Sequence, residues 1–130
     1  MFDHIYEITY ISAMKLDTNT LFTALSNEIR LRCLMLMQHE GELCVCELIH
    51  ALELSQPMIS RHLALLRDGG LVKDRRAGQW VYYSINNDLE EWALTILQTT
   101  AQANCEQLPF SADLHGLQDM PNRPGSACCA

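Results

Sequence analysis

The sequence predicts a mainly α-helical domain with one small β-hairpin, arranged as a winged helix-turn-helix. Three observations carry this. Residues 45–52 and 56–68 read as a short apolar helix and a longer one, separated by a tight turn. Directly after them, Val81, Tyr83 and Ile85 alternate with Trp80, Tyr82 and Ser84, the period-two pattern of a hairpin. Positive charge is concentrated in the same stretch: residues 55–85 hold five bases against two acids, +3, whereas the remainder holds four bases against fourteen acids, −10. A basic surface on an acidic body can meet phosphates, even though the whole chain carries −7.

Taken in order, residues 1–13 read as an N-terminal extension. Phe2, Ile5, Tyr6, Thr9 and Ala13 form a mixed helical face there, blurred by Ile8, Tyr10 and Ile11, and Met14 is an alternative start. The domain itself spans 14–106. Thr18 or Asn19 can cap a short helix with Leu21, Phe22 and Leu25 inward, and Ser26–Asn27 supplies the next cap. Ile29, Cys33, Leu36 and Met37 then form a buried stripe on a helix of about 28–38 that stops at Gly41. Cys33 on that stripe reads as a small core residue.

In the helix of about 45–52, Val45, Leu48, Ile49 and Leu52 share one face. Glu53–Leu54 is the turn, Ser55 a good N-cap, and Pro57 fits the first turn, where its missing N–H has no helical partner anyway. The helix 56–68 buries Ile59, Leu63 and Leu66, turns Gln56, Ser60, Arg61 and Ala64 outward, and stops at Gly69–Gly70. Two strands follow, about 71–76 and 79–85, around Ala77–Gly78. Asn86–Asp88 caps a last helix, about 89–104, with Leu89, Trp92, Ala93, Ile96 and Leu97 on one face; a second copy of the chain is the expected partner. Residues 107–130 read as a flexible tail, with three of the four prolines, ending in Cys128–Cys129.

Composition narrows the class. At 130 residues with 48% apolar and 19% charged side chains, the chain suits one globular domain. No apolar run approaches the ~20 residues that span a bilayer, and no signal-peptide pattern opens the chain, so a cytoplasmic protein without a membrane partner is expected. Six cysteines without a secretory signal point to ligands or redox groups rather than disulfides. No phosphate loop or nucleophile–base set stands out, so no enzyme is expected.

Function then rests on two constellations. Gln56, Ser60 and Arg61 lie in the N-terminal half of the second helix, the part of such a motif that enters the major groove of double-stranded DNA. Arginine can pair bidentately with guanine and glutamine with adenine. Arg67, Lys73, Arg75, Arg76 and Gln79 would hold phosphates and set register. His62, one step off that face, reads as a packed or phosphate-touching histidine.

The second constellation is Cys44 and Cys46. Cys44 falls at the start of its helix, where the dipole favours a thiolate, and thiolates select soft ions. Residues i and i+2 lie about 160° apart on a regular helix. One ion therefore joins both sulfurs only if the helix start distorts or is not yet helical. Since that helix packs on the reading helix, a distortion would disturb DNA binding.

ELCVCEL at 42–48, SQPMISRHLALLRDGGLV at 55–72 and RRAGQWVYYSI at 75–85 resemble the ArsR family of metalloregulatory repressors, and more narrowly its arsenite- and antimonite-sensing members. The resemblance covers about residues 18–104. It implies a homodimeric repressor of an arsenic-resistance operon that leaves its operator when trivalent arsenic or antimony binds Cys44 and Cys46, with no organic cofactor. Related sensors can carry a third cysteine one turn on, where this chain has Ile49. Cys105, Cys128 and Cys129 are the candidates for a third sulfur, with the tail at most an accessory to the pair. A cadmium- or lead-sensing relative draws thiolates from its N-terminal arm, but residues 1–32 contain no cysteine. Zinc sensing through the last helix needs histidine there, and 89–104 has none. A thiol-redox sensor of the same fold remains an alternative.

Overall fold

A computed structural model describes residues 15–123. Asp17, rather than Thr18 or Asn19, caps the first helix, α1 (Thr18–Leu25), by accepting from the Thr20 amide at 3.1 Å. Asn27 caps α2 (Glu28–Glu40) in the same way through the Arg30 amide, and Gly41, at φ 90°, ends it. Phe22, expected inward, is 50% exposed. Residues Cys33 to Met37 are all buried, so the middle of α2 is enclosed on every side as the central helix of the core.

A two-residue strand, β1 (Leu43–Cys44), comes next and was not expected. It runs directly into α3 (Val45–Leu52), and a turn with Glu53 in the left-handed region leads to α4 (Gln56–Asp68). Both helices match their expected bounds. The local reasons are those read above: Ser55 Oγ accepts from the Met58 amide, Pro57 occupies the first turn, and Ile59, Leu63 and Leu66 are buried. Losing such a cap costs about 1 kcal/mol.

The hairpin is β2 (Val72–Ala77) and β3 (Trp80–Ile85), paired antiparallel from Val72↔Ile85 to Ala77↔Trp80. Its tight loop is Gly78–Gln79, one residue later than expected, with Gly78 at φ 62°. The sheet order is β1-β3-β2, with Leu43 opposite Tyr83 and Cys44 opposite Tyr82.

The last expected helix is α5 (Glu91–Asn104), beginning two residues after Leu89. Leu89 sits in the preceding turn and is 3% exposed within the single chain. It belongs to the chain's own core rather than to a surface offered to a second copy. Ala93, Leu97 and Ala101 face the same core, which leaves Trp92 and Ile96 half-buried on α5.

Residues 110–118 correct the expectation of a flexible tail from 107 onward. They form α6 (Phe110–Gln118), docked on α2 and α3. Leu117 is fully buried, and Asp113 makes two contacts to Arg32 of α2, 2.7 and 2.9 Å. Gly116 lets the backbones approach: a Cβ there would stand 3.3 Å from the Ala51 carbonyl oxygen. Among the described residues, no helix is long and apolar enough to cross a membrane.

Candidate functional site

Cys44 is the N-cap of α3, with extended backbone at φ −74° and ψ 152°, because it is also the last residue of β1. The helix has therefore not begun at Cys44, and the 160° separation of a regular helix does not apply. Cys46 Sγ lies 3.0 Å from Cys44 Sγ as a thiol donor. Of the two conditions under which one ion can join them, a helix start not yet helical is the one realised. No distortion of α3 is needed to gather these two sulfurs.

Glu47 finishes the local structure. Its Oε1 accepts from the Cys44 amide at 2.8 Å and its Oε2 from Arg123 Nε at 2.6 Å, while the side chain is 3% exposed. A carboxylate at this position takes up the positive end of the helix that was expected to favour a thiolate. At Cys46 the balance goes the other way: burial first, then the Cys44 hydrogen bond and charge, and Glu47, push its thiol up to about 12. Burial and its neighbours thus disfavour the thiolate at Cys46.

The pair opens on a cleft of about 440 Å³ between the wing and α4. Cys44 and Cys46 line one end; Gln56 and Ser60 of α4 and Arg76 and Gln79 of the wing line the rest. Ile49 lines it too, at the position where a third sulfur on the same helix would stand. Gln56 and Ser60 are one helical turn apart and share a face. Arg61 is exposed next to them, and Arg61 and Arg76 have no ion-pair partner among the described residues.

The expected phosphate residues divide between two faces. Arg67, Arg76 and Gln79 line the cleft, whereas Lys73 and Arg75 project from the other side of β2, as alternation along a strand requires. Three of the five are engaged: Arg67 with Asp74 at 3.5 Å, Lys73 with Asp88 at 2.6 Å, and Arg75 with Glu42 at 2.6 Å. Arg75 also lies 4.8 Å from the centre of the Tyr82 ring. His62 is 6% exposed with Nδ1 3.3 Å from Arg30 Nη1, a packed histidine as expected. Its pKa is lowered by burial and by the charges of Arg30 and Arg61.

The remaining cysteines are unequal. Cys33 is fully buried, and burial pushes its thiol up to about 12, consistent with a core role. Cys105 follows α5 and its thiol points to the Gln102 carbonyl at 3.6 Å. Among the described residues, no group of three His, Cys, Asp or Glu side chains is arranged to hold an ion, so Cys105 is not brought to the pair within one chain. Cys128 and Cys129 lie outside the described residues.

Residues 27–74 match the family model described as bacterial regulatory protein, arsR family. The arsenic resistance transcriptional regulator ArsR1 of Pseudomonas putida is 50% identical over 110 residues, 84% of this chain and 84% of that protein. The chain belongs to the ArsR family. The arsenical resistance operon repressor of Escherichia coli is 45% identical over 97 residues, covering 75% of this chain and 81% of its own. Among solved structures, reduced HlyU from Vibrio cholerae N16961 superposes with a TM-score of 0.60 at 29% identity, over 81% of this chain and 99% of that one. Both the motifs and the winged helix-turn-helix architecture are therefore those of a bacterial transcriptional regulator.

Proposed function

We propose that this ArsR-family chain represses an arsenic-resistance operon as a cytoplasmic homodimer and releases its operator when arsenite or antimonite binds Cys44 and Cys46. The observation that carries the proposal is the 3.0 Å thiol pair at the mouth of the cleft shared with Gln56, Ser60, Arg76 and Gln79. In the DNA complex, Gln56, Ser60 and Arg61 read bases, while Arg67, Arg76 and Gln79 meet phosphates; Lys73 and Arg75 reach flanking phosphates after leaving Asp88 and Glu42.

The chemistry of the donor set favours a metalloid over a divalent cation. Neutral arsenous acid exchanges each As–OH for As–S, and the thiol proton leaves with the hydroxide as water. Cadmium or lead must instead displace protons into solvent, and that costs most where a thiol resists ionisation, as that of Cys46 does. The homology to proteins named for arsenic resistance supports the same choice. A metalloid on the pair acts on the reader through two attachments: α3 packs on α4, and β1 pairs with the wing strand β3.

Titrating the reduced protein on its own upstream DNA with arsenite, antimonite, cadmium, lead and zinc tests this. Release by the two metalloids at the lowest concentrations is expected; release by cadmium or lead alone contradicts it. The thiol-redox reading rests on the same 3.0 Å contact and predicts that diamide, without metalloid, frees the DNA.

A further inference from the structure

The thiol pair lies where the connection after α2 runs into α3, and a carboxylate stands on each side of it. Glu40 is the last residue of α2, and Glu47 is in the first turn of α3. One side chain from far along the sequence meets both. Arg123, 76 positions after Glu47, places its Nε 2.6 Å from Glu47 Oε2 and its Nη2 3.5 Å from Glu40 Oε1. The docking of α6 makes this possible. Leu117 is buried and Asp113 is held by Arg32, which fixes the helix. Asn122, in the left-handed region at φ 54°, then bends the chain immediately before Arg123.

Glu47 passes the constraint on. Its other oxygen accepts from the Cys44 amide at 2.8 Å, and its side chain is 3% exposed. A carboxylate taken that far out of water stays there only while its charge is answered. Arg123 and the Cys44 amide answer it, one on each oxygen. The bond to the amide holds Cys44 in the extended backbone that puts its sulfur 3.0 Å from that of Cys46. Without Arg123 the carboxylate gains by turning to solvent, and the Cys44 amide loses that acceptor. We propose that Arg123 is a positioning residue of the metalloid site: it holds Glu47, and through Glu47 the Cys44 backbone, so that both sulfurs are gathered before the metalloid arrives. The inference rests on the function proposed above. Arg123 gives no atom to the metalloid; it spares the site the cost of ordering its two thiols on binding. Partners that orient a ligand in this way contribute about 10–100-fold to affinity.

Release of labelled operator by arsenite, followed by anisotropy on the full chain with a phosphine reductant, tests this. Arg123→Gln keeps every cysteine. It is expected to bind operator like the parent without arsenite and to release it completely at saturation, but with a midpoint at about 10–100-fold more arsenite. Glu47→Gln keeps an oxygen for the Cys44 amide and loses the ion pair, so its midpoint is expected to move the same way. Adding Arg123→Gln to it should move the midpoint little further, because the two residues act through one contact. An unmoved midpoint in Arg123→Gln, or shifts that simply add in the double variant, would overturn the inference. So would a loss of operator affinity as large as the shift in midpoint, which would make Arg123 part of the fold rather than of the site. Cys44→Ser separates this from the reading beneath. If arsenite frees no operator from the unaltered chain, or frees it from Cys44→Ser at the parent's midpoint, the proposed function falls and this inference with it. If Cys44→Ser loses the response while Arg123→Gln keeps the parent's midpoint, only the role of Arg123 falls.

Discussion

Cys44 stands directly opposite Tyr82 in the sheet, so the first residue of the thiol pair belongs to the wing as much as to the helix that follows it. Tyr82 in turn carries Arg75 over its ring, and Arg75 is bound to Glu42, two residues before Cys44. Under the function proposed above, a ligand at the pair would therefore have a route to the wing that does not pass through α4 at all. Tyr82→Ala is expected to leave arsenite affinity close to that of the parent while reducing the fold-change in operator affinity that arsenite causes. Fluorescence anisotropy with labelled operator, with and without saturating arsenite, measures both.

Replacing either thiol should separate sensing from binding. Cys44→Ser and Cys46→Ser are each expected to retain operator binding and lose the response, which for regulatory coupling of ~1–3 kcal/mol is about a 5–150-fold weakening by inducer. A serine variant that still releases DNA at saturating arsenite, in the presence of reductant, would move the sensor elsewhere.

Arg61 and Arg76, which have no ion-pair partner among the described residues, should behave differently. Arg61→Ala is expected to cost about 1–3 kcal/mol and relax preference at one base position, whereas Arg76→Ala should weaken all sequences alike and lower the salt slope by about one. Competition titrations against a set of single-base operator variants distinguish the two.

Residues 107–130 read as a flexible tail in the sequence, and the docking of α6 gives truncation there a cost in stability. Asp113→Ala leaves the largely buried Arg32 without its bidentate partner, and breaking such a pair costs about 3 kcal/mol. Urea unfolding of this variant and of a chain ending at 108 should show both destabilised; an unchanged midpoint would mean that α6 contributes nothing.

His62 sets a pH limit on stability. Its folded pKa is depressed by burial and by Arg30 and Arg61, so the unfolded chain binds the proton first as pH falls. The stabilisation is complete above the ordinary histidine value of about 6.5 and is lost progressively below it, towards the folded pKa. His62→Gln should flatten the dependence of the urea midpoint as pH falls below about 6.5; an unaltered slope would assign it to other groups.

What could be read from sequence follows how local the signal is. Ser55, Pro57 and the apolar spacing of α3 and α4 act within a turn or two, and both helices came out at their expected bounds. Strand β1 is two residues long and exists only because Tyr82 and Tyr83, almost forty positions later, offer it an edge. Its consequence, a non-helical Cys44 with Cys46 at contact distance, was accordingly left open. Helix α6 has few apolar residues, and its place depends on Arg32 meeting Asp113 across 81 positions. Leu89 was assigned to a dimer face because its spacing matches Trp92 and Ile96, but the turn before α5 folds it inward. Sequence periodicity marks a face as apolar without saying which chain covers it.

Three of the cations expected to meet phosphates, Arg67 of α4 and Lys73 and Arg75 of the wing, already have partners of their own: Arg67 with Asp74, Lys73 with Asp88 and Arg75 with Glu42. To meet a phosphate, each exchanges one anion for another and leaves a carboxylate that must find a new counterion. Much of what DNA sheds is thereby recaptured, and the electrostatic gain common to every stretch of duplex shrinks. An acidic protein built this way has little tendency to linger on the chromosome at large. Under the function proposed above, its residence at one site would depend on the few side chains that touch bases, so a modest push from a bound metalloid would be enough to send it back into solution.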